Sequence, residues 1–335
     1  MRALVLSGGG ALGAYEAGVI CGLAERENFD LVCGASIGSL NGALYAQDRC
    51  DALERFWRTL SARQLVKLQP RVEVLRSLVE TLIGLARDGA LAIPRHVIEA
   101  AREFGEVGPL ETLQRLTGAY DAAPIVALLE ELIDFAALKR SLVVRATNLT
   151  RARADLFYYF APAGGANVAG FLAAEPSAHA FTAENFRDAV RASAALPGAL
   201  EPVSVATEAG TDRFVDGGVA GTTPVGQAIE AGAGHVTVVF VDPATEARMP
   251  SDNLVQIAWT SLGVTQQRLL ALDLRAAEAV NAHVAKGWTD GKKRHVDLRT
   301  IRPADDLGLS LLDFGNQSAV DAAFERGMAD GRSAS

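Results

Sequence analysis

The sequence predicts an α/β fold, and three stretches carry the prediction. Residues 2–6, Arg-Ala-Leu-Val-Leu, form a short apolar run that breaks at Ser7-Gly8-Gly9-Gly10-Ala11-Leu12-Gly13, and a helical pattern follows from Ala14 to about Glu27. Leu31-Val32-Cys33 breaks at Gly34-Ala35-Ser36-Ile37-Gly38 and leads into a helix-compatible stretch from Ser39 to Gln47. His235 to Val241 is strongly apolar and closes at Asp242-Pro243. Short apolar runs bounded by glycine and alternating with helical periodicity are the pattern of strands buried on both faces of a parallel sheet.

With 335 residues the chain can form one large domain or two small ones, either with ample core. A hydrophobic share of 49% against 21% charged residues marks an ordinary globular protein. The net charge of -8 argues against a nucleic-acid partner and against docking to anionic lipid by overall charge. No apolar run approaches the roughly 18 residues of a membrane span, so no transmembrane segment is expected. Residues 1–6 are too short for a signal peptide. Cys21, Cys33 and Cys50 are odd in number and lack metal-ligand spacing, so reduced thiols, no bound metal and a cytoplasmic location are expected.

The remaining elements follow in order. Residues 51–120 read as an amphipathic helical insertion. Phe56 and Trp57 sit beside Arg55 and Arg58, and Leu75, Leu78, Val79, Leu82 and Ile83 recur at helical spacing. Its apolar face can pack on the core, or form a lid that makes transient contact with a membrane surface. Asp121-Ala-Ala-Pro124 opens a helix with Ile125, Leu128, Leu129, Leu132 and Ile133 on one face. Ser141 to Thr147 reads as a third core strand and Asp155 to Phe160 as a strand or hairpin arm, while Gly164, Gly165 and Gly170 mark loops. Phe186 to Ala195 reads as a short helix, Glu201-Pro202-Val203 as a turn into an extended segment, and Phe214-Val215 as a strand end. Helical stretches near 253–286 and 317–328 flank a strand-like segment, Arg294 to Ile301.

Three of these segments carry candidate chemistry. Gly34-Ala-Ser36-Ile-Gly38 has the spacing of a nucleophile elbow, where a serine hydroxyl is pushed out of a strained turn and glycines avoid collisions on either side. The same pattern also suits a serine that only caps the next helix. Gly8, Gly10 and Gly13 match the dinucleotide fingerprint, but the acid that should follow at the end of the second strand is missing: Asp30 stands at its start. The alternative use of that loop is an oxyanion hole, with amides of Gly9, Gly10 and Ala11 turned toward a carbonyl that Ser36 attacks, provided the first two strands pair in parallel. A third reading is tight packing alone. Asp216-Gly217-Gly218 places a carboxylate where side chains enter a sheet edge, although an isolated Asp-Gly-Gly is commonly a turn.

Taken together and in this order, the three segments resemble the patatin-like phospholipase family. The likeness includes Gly-Gly-Gly-Ala-Leu-Gly near the start, the early Gly-Ala-Ser-Ile-Gly, Arg191-Ala-Ser-Ala-Ala-Leu-Pro197 ahead of the acid, and Asp216-Gly217-Gly218. It spans roughly residues 3–230, with a looser likeness at Leu312-Asp313-Phe314-Gly315. The resemblance implies a three-layer α/β/α fold with a central, mostly parallel sheet. It implies a catalytic domain over 1–230, and 231–335 is expected to complete the same domain. It further implies acyl hydrolysis of lipid esters without a cofactor or metal. Ser36 matches the family's nucleophile, Asp216 its partner acid, and Gly8, Gly9 and Gly10 its oxyanion loop. Gly218 stands where many members carry alanine, and the insertion at 51–120 matches no family element.

In such a dyad Asp216 takes the Ser36 proton directly. A free aspartate, at about pKa 3.9, is a poor base for this, so burial must raise it. One rival is a Ser–His–Asp enzyme using His283 or His295 after Ser36 and Asp216; but in that fold several strands precede the nucleophile, and here one does. Other rivals are a carboxylesterase or thioesterase acting on non-phospholipid acyl groups, and a lipid-binding protein that keeps the fold without the activity.

Overall fold

The computed structural model describes residues 1–62, 67–69, 72, 117–221, 224–243, 254–288 and 293–334. The chain begins with β1 (Arg2–Leu6), a 3-10 turn (Gly10–Leu12), α1 (Gly13–Ala24), β2 (Leu31–Ala35), α2 (Ile37–Ala46) and α3 (Cys50–Ala62). Two short strands, β3 (Lys67–Leu68) and β4 (Tyr120–Asp121), pair antiparallel. Next come α4 (Ala123–Leu132), β5 (Ser141–Asn148), β6 (Arg153–Tyr159), α5 (Val168–Ala174), β7 (Ala178–Ala180) and α6 (Phe186–Ser193). A hairpin of β8 (Val203–Thr207) and β9 (Gly210–Val215) leads to α7 (Val225–Glu230), β10 (His235–Val239), α8 (Leu254–Ala285), β11 (Asp297–Ile301) and α9 (Gln317–Ser333).

The main sheet runs β11-β10-β1-β2-β5-β6-β7, with β9 against the end of β5 and β8 against β9. From β11 to β5 the strands are parallel, and β6 and β9 both meet β5 antiparallel. The sheet is covered on both faces. Leu4, Leu6, Val32, Leu142 and Val144 face a cluster with α1, α2, α3 and α9, whereas Ala3, Val5, Leu31, Cys33 and Val143 face Phe171 of α5, Val225 of α7 and Leu270 of α8. Successive residues of one strand thus serve opposite layers, which makes a three-layer α/β/α architecture with a mostly parallel sheet.

Helix α1 is apolar on every side apart from Glu16 and is buried from Gly13 to Leu23. Its outer side is covered by α9, where a Cβ on Gly18 would overlap the Phe324 carbonyl and one on Gly327 the Tyr15 carbonyl. Small residues let the two backbones touch, so the C-terminal helix seals the first one. β10 and β11 extend the same sheet beyond β1.

One expectation needs revision: Gly170 lies inside α5, whose start is capped by the Asn167 side chain accepting the Gly170 amide at 3.1 Å, and is not a loop glycine. Of the two readings of the apolar face in 51–120, packing on the core holds for its first part: Ala52, Leu53, Phe56 and Trp57 of α3 are buried. Leu75, Leu78, Val79, Leu82 and Ile83 lie outside the described residues. No helix among the described residues is long and apolar enough to cross a membrane.

Candidate active site

Parallel pairing of β1 and β2, with Leu6 beside Gly34, brings the glycine loop and Ser36 to one sheet edge. Ser36 follows β2 directly and sits at φ 54°, ψ -135°, a left-handed backbone that side chains rarely adopt. The turn is held from several sides. Ser39 donates its hydroxyl to the Ser36 carbonyl at 2.6 Å, and the Ser36 amide donates to Ser193 Oγ at 3.1 Å. Ser193 in turn donates to the Arg145 carbonyl at 2.6 Å. The flanking glycines are required by space: a Cβ at Gly34 would overlap the Gly38 carbonyl, and one at Gly38 would stand 2.9 Å from the Leu6 carbonyl. A Cβ at Gly13 would press on Ile37, just past the elbow.

Gly8 abuts the elbow, since a Cβ there would lie 2.6 Å from the Ala35 carbonyl and 2.9 Å from Ser36 Cβ. Gly8, Gly9 and Gly10 all have positive φ. Their amides are not equivalent. The Gly8 amide donates to the buried carboxylate of Glu16 at 3.1 Å, and the Ala11 amide donates to the Leu311 carbonyl at 2.9 Å. Both are committed within the protein, which narrows the expected row of donors. Among the described residues the Gly9 and Gly10 amides make no hydrogen bond, and both residues line the cavity at Ser36.

Glu16 gave no functional signal in the sequence. It is fully buried, and its second oxygen accepts from Asn41 Nδ2 at 3.2 Å. Asn41 also donates to the Gly13 carbonyl at 3.0 Å and accepts from Trp57 Nε1 at 3.0 Å. Burial pushes Glu16 up to about pKa 7, against the lowering effect of Asn41 and the Gly8 amide. A lone acid in an apolar helix was the available clue.

Asp216 arrives from the other side. β9 ends at Val215, paired with Thr147 of β5. The Asp216 carbonyl accepts from the Thr147 hydroxyl at 2.8 Å, and its amide donates to the Ala195 carbonyl at 2.9 Å. Gly217 has no room for a side chain, because a Cβ would overlap the Arg145 carbonyl. The carboxyl is completely buried; Oδ1 accepts the Gly218 amide at 2.8 Å. Burial pushes its pKa up to about 6, opposed by the Ser36 hydroxyl acting as a hydrogen-bond donor and by the Gly218 amide. Oδ2 nonetheless closes no bond of ordinary length and angle and is buried without a partner. The structure therefore brings Ser36, Asp216 and the Gly9–Gly10 amides into one neighbourhood.

Above them lies a cavity. Its wall is mainly apolar, with Leu40, Phe56, Leu129, Leu262 and Phe314, while Arg191 and Gln266 add polar groups. Phe314 stacks on Trp57 with ring centroids 6.3 Å apart. Of the four described histidines none lines the cavity: His179 bridges Asp155 and Glu208, His235 and His295 meet Asp297, and His283 lies against Trp288. No cluster of metal-ligating side chains occurs among the described residues.

The family model for patatin-like phospholipase matches residues 4–229. The chain belongs to the patatin-like phospholipase family. Membership carries hydrolysis of lipid acyl esters as the class of activity, and the patatin-like region contains the glycine loop, the elbow and Asp216. No curated protein sequence matches the chain. Outside the patatin-like match, Leu311, Phe314 and Gln266 complete the cavity from the C-terminal third.

Proposed function

We propose that this protein is a serine acyl hydrolase that cleaves fatty-acyl esters of phospholipids or lysophospholipids through a Ser36–Asp216 dyad. Ser36 Oγ attacks the ester carbonyl as its proton passes to Asp216. The negative charge that develops on the carbonyl oxygen is received by the Gly9 and Gly10 amides. Collapse returns the proton from Asp216 to the leaving alkoxide and leaves an acyl ester on Ser36. Water then enters, loses a proton to Asp216 and releases the fatty acid, restoring the Ser36 hydroxyl. An aspartate raised to about 6 is a better base than a free one while still ionised at neutral pH. The apolar cavity suits an acyl chain.

The observation that carries this reading is the strained backbone of Ser36, next to a buried carboxyl with one oxygen unpartnered. Two measurements test it together. A fluorophosphonate is expected to label Ser36 stoichiometrically, and Ser36→Ala and Asp216→Asn are each expected to abolish ester hydrolysis. Alanine at each of the five histidines should leave hydrolysis near normal. Loss of activity in one of those histidine variants, with folding intact, refutes the dyad. A folded protein that takes no label is a lipid-binding member of the family instead.

A further inference from the structure

Resting on the acyl-hydrolase reading, we propose that Arg191 is the residue that selects the substrate's headgroup. It receives the phosphate of a zwitterionic phospholipid or lysophospholipid at the seam between the acyl cavity and an open groove beside it.

The seam is defined by shared walls. The cavity over Ser36 and a second, more open groove have Tyr120 and Arg191 in common. An acyl chain in the first therefore leads its polar end into the second past the guanidinium. Among the described residues lining the acyl cavity, Arg191 alone carries a charge. A cation at the rim of an apolar cavity is costly unless it is paired and hydrogen-bonded. Here the pairing is incomplete. Nη2 meets the half-exposed Asp188 at 3.1 Å, while Nε is buried and has no partner. The side chain is 31% exposed, and its Nη1 makes no hydrogen bond among the described residues. A guanidinium offers donors in a planar fork that matches two phosphate oxygens, so this open terminal nitrogen beside the reaction cavity points to an anionic oxygen ligand.

The position is also rigid relative to the nucleophile. Arg191 stands in the last turn of α6, and Ser193 of the same helix holds the Ser36 amide. A headgroup anchored on Arg191 thus sets the distance from its phosphate to the scissile ester. Beyond Arg191 the groove carries Asp121, Glu130 and Glu201. Three carboxylates in a groove with one guanidinium oppose a headgroup that is purely anionic and favour an ammonium following the phosphate. Choline and ethanolamine phosphates have that order of charges.

The test compares three esters with the same acyl chain: lysophosphatidylcholine, lysophosphatidylglycerol and monoacylglycerol. Wild type should show higher kcat/KM on lysophosphatidylcholine than on lysophosphatidylglycerol; equal or reversed values overturn the zwitterionic assignment. In Arg191→Gln the ratio of kcat/KM for lysophosphatidylcholine over monoacylglycerol should fall about tenfold to a hundredfold, the usual worth of a hydrogen-bonded charge pair. Arg191→Lys, which keeps the charge without the fork, should fall between, and it serves if the glutamine variant does not fold. Asp188→Asn should leave the ratio unaltered, showing that the helix ion pair is not its source. An unchanged ratio in both Arg191 variants overturns the inference while hydrolysis itself stands. Binding of lysophosphatidylcholine below its micellar concentration to Ser36→Ala, with and without Arg191→Gln, separates the two readings. About tenfold weaker binding in the double variant supports the headgroup site even if no ester is hydrolysed, and equal binding overturns it.

Discussion

Glu16 and Asp216 stand on either side of the elbow, and both carboxyl groups are sealed from water, but they are furnished in opposite ways. Glu16 has a donor on each oxygen, the Gly8 amide and Asn41, inside a network that continues to Trp57. Asp216 has the Gly218 amide on one oxygen and no partner on the second. Burial raises both, to about 7 and about 6. The difference separates two uses of a costly buried acid. The satisfied one holds backbone in place, here the first amide of the glycine loop, and the unsatisfied one keeps a lone pair for a proton.

The largest effect expected from this contrast is on turnover. Asp216→Asn should cut kcat by about a thousandfold or more, measured by ester hydrolysis, whereas Glu16→Gln should retain a measurable fraction. The same pair then separates in stability. A carboxyl whose pKa is raised on folding disfavours the folded state once it ionises, so the penalty is absent below about pH 4 and complete above about pH 6. Asp216→Asn removes it, and the shift from 3.8 to about 6 corresponds to a gain on the order of 3 kcal/mol in denaturant unfolding at pH 8. Glu16→Gln should not show this gain. Its new amide group must face a donor, either Asn41 Nδ2 or the Gly8 amide. Equal stabilisation by the two variants would break the comparison.

The pH profile sharpens it next. The dyad needs Asp216 ionised, so kcat/KM should be level above about pH 6 and fall about tenfold per unit below it. A smaller effect concerns the hairpin that delivers Asp216. His179 bridges Asp155 on β6 and Glu208 in the β8–β9 turn, and these carboxylates hold its pKa above the ordinary value. The stability it adds is complete below its unfolded pKa of about 6.5 and is lost as pH rises through the higher folded value. The Tm gap between wild type and His179→Ala should therefore narrow from pH 6 toward pH 9. The smallest change is expected from Gly218→Ala. The added methyl overlaps the amide end of the Gln266 side chain, which can swing away, and stands 3.1 Å from Asp216 Oδ1, a contact that a shift of a few tenths of an ångström relieves, so kcat/KM should stay within about threefold of wild type.

Legibility followed the range of the forces involved. The elbow could be read because its constraints act within five residues: a strand, a positive φ at Ser36 and two glycines that keep backbone from colliding. The parallel sheet could be read from β1, β2 and β10, whose apolar runs serve both faces. Asp216 was recognisable only beside the other motifs, because an Asp-Gly-Gly looks the same in any turn. Glu16 cannot be read as a buried group because nothing local marks whether a lone acid faces water, and amphipathicity in α3 leaves core packing and a surface lid equally open until the fold shows what covers its apolar face. Gly170 reads as a loop residue from sequence because glycine usually interrupts helices, and the Asn167 cap overrides that preference.

The sequence by itself determined the architecture, the elbow and the family, since these depend on spacing and on where side chains are absent. Only the tertiary structure decided how the amides are shared out. Leu311, far along the chain, occupies the Ala11 amide, and Glu16 occupies that of Gly8, leaving Gly9 and Gly10. It likewise decided the acidity of Asp216 and the half-used guanidinium of Arg191. The physical reason is the same in each case: a hydrogen bond or a desolvation penalty depends on which distant atoms fold into the space around a group.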